Sequence, residues 1–203
     1  MSTENQSVCA VVVAAGSSRR MGGENKLLLP LCGKPVLAHT LTAFQMCGAV
    51  RDIVLVCREQ DMEVYRTLAA ENGITKLRTL TRGGDTRTES VLAGVSAASE
   101  ACALVAVHDG ARPLVSDEVI TQAVDEAAKT GAAAPVVPVK DSIKRIENGK
   151  IVADVPRDTL AAVQTPQVFR RELLLDALQS AAASGRSFTD DCAAVEALGQ
   201  TVS

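Results

Sequence analysis

A chain of 203 residues is long enough for one domain with a sizeable core and a modest appendage, and cramped for two. It is 47% apolar but only 2% aromatic, so the core has to be built from Val, Leu, Ile and Ala, and base-stacking nucleic-acid modules are disfavoured. The formal charge of −3 gives no global pull on polyanions; DNA, RNA and membrane surfaces are not expected partners, and phosphate affinity has to come from local clusters of cations.

The first predicted element is a strand over residues 9–14. Its run Val11-Val12-Val13 suits a strand covered on both faces of a parallel sheet. It leads into a loop containing Gly16, Arg19, Arg20, Gly22, Gly23 and Lys26. The glycines permit tight turns and bring N–H groups near a ligand, and the three cations concentrate charge, a combination suited to a nucleoside triphosphate. A solvated loop after a first strand fits the same residues, and the spacing is neither a Walker P-loop nor the three-glycine dinucleotide fingerprint.

Helices are predicted near 36–47, with Pro35 suited to the first helical position, and near 60–72, ended by Gly73. Another begins at Thr86, where Thr86-x-x-Glu89 matches a capping box, and one over about 117–130 stops at Gly131. Strands at 53–57, 77–81, 103–107 and 133–139 alternate with them. This order predicts an α/β fold, a Rossmann-like, mostly parallel twisted sheet flanked by helices. After Val139 the pattern changes. Residues 140–146 and 151–155 read as a hairpin around Asn148-Gly149, too polar to fill a sheet, so residues 139–160 are expected to leave the body as a β-arm that needs a partner. The chain then returns through 162–169, forms an amphipathic helix over about 171–183 and starts another near Thr189. A single domain is expected.

Six cysteines, Cys9, Cys32, Cys47, Cys57, Cys102 and Cys192, show no Cys-x-x-Cys pair, and read as small buried hydrophobes in a reducing compartment. The first seven residues are polar and no apolar run reaches transmembrane length, so a cytoplasmic protein is expected.

Two further groups carry chemistry. Gly83-Gly84-Asp85 ends a strand ahead of the Thr86 helix, bringing N–H groups and a carboxylate to the sheet edge where open α/β sheets bind ligands; a helix cap explains the same residues. Ser90, one turn on, is positioned for the same crevice. Val107-His-Asp109-Gly110-Ala-Arg112-Pro113 ends another strand in a carboxylate suited to Mg²⁺ or hydroxyls, or alternatively to a structural turn. His108 reads as a satisfied strand-end residue, and His39 has no partner in the pattern.

Ala14-Ala15-Gly16, Arg20, Lys26, Gly83-Gly84-Asp85-x-Arg-x-x-Ser90, His108-Asp-Gly-Ala-Arg-Pro113 and Thr165-Pro-Gln167, in this order, resemble the 2-C-methyl-D-erythritol 4-phosphate cytidylyltransferases of the non-mevalonate isoprenoid pathway. The resemblance spans nearly the whole chain. It implies a Mg²⁺-dependent enzyme that joins CTP and 2-C-methyl-D-erythritol 4-phosphate into 4-diphosphocytidyl-2-C-methyl-D-erythritol, releasing pyrophosphate. It further implies a homodimer with interlocking β-arms. By motif, Ala14, Ala15, Gly16, Gly84, Asp85 and Ser90 would hold the cytidine, and Arg20 and Lys26 the triphosphate. Asp109, also the metal residue, and Arg112 would line the substrate region. Arg157 would reach across the dimer to the substrate phosphate with Ser142, Thr165 and Thr189. The family continues into a lysine-bearing strand and a terminal helix, which are expected to be missing beyond Thr201-Val-Ser203. Ribitol 5-phosphate cytidylyltransferases share the nucleotide half of the pattern, and a non-catalytic nucleotide-binding dimer is the alternative of another class.

Overall fold

Strand β1 (Val8–Val13) lies inside the sheet because both of its faces are apolar. Val8, Ala10 and Val12 join one hydrophobic cluster and Cys9 and Val11 the other, all five without exposed surface. The protein is seen here as a computed structural model that describes residues 7–16, 25–186 and 188–203.

Beyond Lys26, β2 (Pro30–Leu31) and β3 (Lys34–Pro35) form a short antiparallel ribbon turned at Cys32 and Gly33, both at positive φ. Cys32 is exposed, so the expectation of six buried thiols holds only for the other five. Helix α1 (Val36–Met46) starts one residue after Pro35, which is the cap residue and not the first helical one. Then come β4 (Val50–Cys57), a 3-10 turn at Glu59–Asp61 and α2 (Met62–Glu71). They are followed by β5 (Leu77–Arg82), α3 (Arg87–Ala97), β6 (Leu104–Asp109) and α4 (Asp117–Thr130). Gly131 closes α4 at φ +96°, a left-handed cap that a side chain would strain.

The segment expected as one strand over 133–139 divides. Only β7 (Ala132–Ala133) joins the main sheet, while β8 (Val136–Pro138) is exposed and pairs elsewhere. Next are β9 (Ile143–Glu147) and β10 (Lys150–Val155), then β11 (Ala161–Val163), the partner of β8. The chain ends with β12 (Gln167–Arg170), α5 (Arg171–Ala183) and α6 (Asp191–Glu196). Asn148 and Gly149 both have positive φ, as a two-residue hairpin turn requires, and among the described residues β9 and β10 pair only with each other.

The main sheet has the order β5-β4-β1-β6-β12-β7. The first four strands are parallel and β12 runs against its neighbours β6 and β7, so the sheet is mostly parallel as expected. β12 was not expected as a strand: its four residues show too little pattern, and Val168 and Phe169 become core only by pairing with β6 and β7. Helices α1, α2 and α4 cover one face and α3, α5 and α6 the other. α3 packs closely at Gly94, where a Cβ would come within 2.4 Å of Val11 and 2.6 Å of Val56. Among the described residues no helix is long and apolar enough to cross a membrane.

Candidate active site

From β1 the chain crosses to β4 and β5 on one side and returns to β6 on the other, so the sheet reverses its order at β1. That reversal opens a crevice at the carboxyl ends of the parallel strands. Backbone bonds carry the ladder past the strand ends and hold the loops flush: Ala14 N–H to Val56 O at 2.7 Å, Gly83 N–H to Cys57 O at 2.9 Å and Gly110 N–H to Val13 O at 2.9 Å. The result is an open cleft of about 1330 Å³. Ala14, Ala15, Gly16, Lys26, Gly84, Asp85, Ser90, Asp109, Arg112 and Thr189 all line it, together with Arg58, Arg82, Thr86 and Arg87.

The β5–α3 loop is shaped by its capping box. Thr86 Oγ1 accepts from Glu89 N–H, and the Glu89 carboxylate accepts from the N–H groups of Asp85 (2.8 Å) and Thr86 (2.9 Å), which hold its pKa below the usual carboxylate range. The expected ligand-binding N–H groups of this loop are therefore already engaged at Gly83 and Asp85, and the Asp85 side chain is its exposed polar group. Ser90 is buried and donates to Thr86 O at 2.9 Å. A Cβ on Gly83 would meet Ala15 at 2.6 Å and the Ser90 hydroxyl at 2.8 Å, so this glycine lets two loops close on each other.

At the end of β6, Asp109 stands between two arginines. Arg112 Nε donates to its Oδ2 at 3.0 Å, and Arg87 Nη2 lies 3.9 Å from Oδ1. Beneath them His108 has no exposed surface. Its Nε2 faces the Arg112 carbonyl at 3.1 Å, which can only accept, so Nε2 carries the proton and Nδ1 accepts from the Thr165 hydroxyl at 2.9 Å. Burial pulls the His108 pKa from 6.5 to about 4, so the ring is neutral near pH 7. The expectation that it is a satisfied strand-end histidine holds. Thr165 also accepts from Asp109 N–H at 3.5 Å; it is buried behind the cleft wall.

Arg87 was not singled out for a role, although it stands inside the Gly83-Gly84-Asp85-x-Arg pattern. Its guanidinium makes two bonds to Asp191, Nη1 to Oδ1 at 2.8 Å and Nη2 to Oδ2 at 2.9 Å, and the Asp191 side chain is 2% exposed. Burial works against the Arg87 charge, and Asp191 more than offsets it, so its pKa lies above the ordinary arginine value. Gln167 Oε1 accepts from the N–H groups of Asp191 and Cys192, and Asp190 caps α6 through Ala193 N–H. These bonds hold the segment bearing Thr189 at the cleft. No local pattern could reveal the pair, whose members are 104 residues apart.

Three expected residues do not line the cleft. Thr165 lies behind it; Ser142 and Arg157 are exposed at the foot of the arm, where Arg157 Nη1 donates to Lys140 O at 2.6 Å. Arg20 lies outside the described residues. Among the described residues no three His, Cys, Asp or Glu side chains gather as a metal cage. Asp109, the carboxylate expected to meet Mg²⁺, is half-exposed but faces Arg112 and Arg87, so a Mg²⁺ there would compete with these cations and draw most of its ligands from phosphate and water.

The sequence model of IspD, 2-C-methyl-D-erythritol 4-phosphate cytidylyltransferase, matches residues 8–203. The chain belongs to this family. A 2-C-methyl-D-erythritol 4-phosphate cytidylyltransferase of Dehalococcoides mccartyi is 42% identical over 195 residues, 96% of this chain and 84% of the relative. One from Halalkalibacterium halodurans is 44% identical over 193 residues, 95% of this chain and 84% of the relative. Among solved structures, the 4-diphosphocytidyl-2C-methyl-D-erythritol synthase of Anaerococcus prevotii superposes with a TM-score of 0.86 at 27% identity, covering 98% of this chain and 87% of that one. The Thermus thermophilus cytidylyltransferase gives 0.75 at 32% identity, covering 95% and 85%. Membership in this family makes the chain a nucleotidyltransferase.

Proposed function

We propose that the chain transfers the cytidylyl group of CTP to 2-C-methyl-D-erythritol 4-phosphate, with the crevice at β1 as the reaction site. The observation that carries this reading is the convergence of Lys26, Asp85, Asp109, Arg112 and Thr189 on one cleft at the order reversal of the sheet. A phosphate oxygen of the acceptor attacks the α-phosphorus of CTP; the new P–O bond forms as the bond to the β-phosphate oxygen breaks, and pyrophosphate leaves. Two anions have to meet, so catalysis is positioning and charge neutralisation with no covalent enzyme intermediate.

Ala14, Ala15, Gly16, Gly84 and Asp85 are assigned to the cytidine, with the buried Ser90 supporting their loop. Lys26 and Arg20 are assigned to the triphosphate and its developing charge. Arg112 and Thr189 are assigned to the acceptor. Mg²⁺, held by Asp109 and phosphate oxygens, would supply further charge neutralisation. Ser142 and Arg157 belong to the arm. Since Arg157 does not line its own cleft, it is assigned to the acceptor phosphate of a partner subunit, and Thr165 to the support of Asp109. The exposed apolar residues Val136, Val137, Ile146, Ile151 and Val152 support burial of the arm in a homodimer. The free thiols support a reducing, cytoplasmic setting.

Purified protein with CTP and Mg²⁺ is given 2-C-methyl-D-erythritol 4-phosphate or ribitol 5-phosphate, and pyrophosphate is followed. Release dependent on the methylerythritol substrate, abolished by chelation and reduced by orders of magnitude in Lys26→Ala, is the expected result. Faster release with ribitol 5-phosphate would move the assignment to the other polyol. No release with either would overturn the enzymatic reading.

A further inference from the structure

Lys26 is exposed, yet the backbone on both sides of it is fixed. After it, Leu27 is buried and its carbonyl accepts from Leu37 N–H at 3.0 Å. Before it, Asn25 is held through both ends of its amide: Oδ1 accepts from Leu27 N–H at 3.2 Å, and Nδ2 donates to the Tyr65 hydroxyl at 2.9 Å. The Asn25 carbonyl also accepts from Leu28 N–H at 3.0 Å.

Tyr65 stands on α2 and has no exposed surface. Phe would fill the same core position, so packing alone does not call for the hydroxyl. Burial raises the phenol pKa to about 12, which keeps the group neutral and able to accept throughout the working pH range. The hydroxyl meets the chain one residue before a cation at the cleft.

We propose that Tyr65 is a positioning residue for cytidylyl transfer: through Asn25 it fixes the backbone from which the Lys26 ammonium is aimed at the triphosphate. The inference rests on the reading of Lys26 as a triphosphate ligand. A lysine carries large rotamer entropy, and a loose Cα adds to the volume its ammonium explores, so the anchor lowers the cost of holding the charge in one place.

The test is a double-mutant cycle. Tyr65→Phe and Asn25→Ala are each made alone and with Lys26→Ala; CTP binding is measured by calorimetry, kcat/KM by pyrophosphate release, and Tm alongside. In the Lys26 background Tyr65→Phe should weaken CTP binding about three- to tenfold, the worth of one net hydrogen bond, and Asn25→Ala, which removes the bonds to both Tyr65 and Leu27, by at least as much. In the Lys26→Ala background neither should weaken it further. Equal losses in both backgrounds would show a general structural role and overturn the proposal, as would no loss in either. If Lys26→Ala itself binds CTP normally, the underlying reading of Lys26 fails first and the role of Tyr65 falls with it.

Discussion

Replacing His108 with Gln should remove a defined part of the protein's pH-dependent stability. The imidazole has no exposed surface, packs edge-on against Phe44 with ring centroids 4.9 Å apart, and has both nitrogens hydrogen-bonded. Burial lowers its pKa from 6.5 to about 4. As pH falls below 6.5 the unfolded chain takes up a proton that the folded chain refuses until about 4, so the unfolded state binds more protons across that window. Stability is fully present above 6.5 and is lost on acidification, by about 2 kcal/mol at pH 5 and about 3 kcal/mol at pH 4. Urea unfolding of wild type and His108→Gln at pH 7.5 and pH 5 reads the difference, because other groups titrate alike in both proteins. Wild type should lose about 2 kcal/mol more than the variant over that interval. The chain has only two histidines, so the His108 ring proton can also be followed by NMR. Equal losses in the two proteins, or a His108 midpoint near 6.5, would refute the reasoning. A protonated ring could no longer accept from Thr165, so acid would also weaken the support of Asp109.

Asp191→Asn removes the two-bond partner of the part-buried Arg87 and leaves Asp109, 3.9 Å away, as its nearest anion, so it should destabilise the fold by about 2–3 kcal/mol, the worth of hydrogen bonds to a charged group. Chemical denaturation checks it; a loss no larger than that of an exposed pair would mean that Arg87 relaxes into solvent. For the arm, mixing inactive Lys26→Ala with inactive Arg157→Ala should restore part of the activity, because exchanged dimers contain one site with both cations. If subunits exchange and the mixture stays inactive, Arg157 does not act across the dimer.

Short-range chemistry accounts for what could be read directly from the chain. The Thr86–Glu89 capping box, the left-handed stop at Gly131 and the Asn148-Gly149 hairpin each lie within a few residues, and each forms with the expected bonds or dihedrals. The apolar run of β1 announced a strand covered on both faces, and the glycine-bearing ends of the parallel strands announced a ligand edge. By itself, then, the sequence determined the α/β class, its motif order pointed to the family, and most of the site residues expected from it line the cleft. Tertiary structure alone decided the rest. β12 is a strand because β6 and β7 offer unpaired edges on its two sides, a property of those strands and not of Gln167-Val-Phe-Arg. The same holds for the segment after Gly131, where pairing admits two residues to the main sheet and sends the next strand outward. Thr165 faces His108 across 57 residues, and Arg87 grips Asp191 across 104. Such partners are selected by which buried charge or hydroxyl would otherwise go unsatisfied once the core has closed, a cost that exists only in the folded molecule.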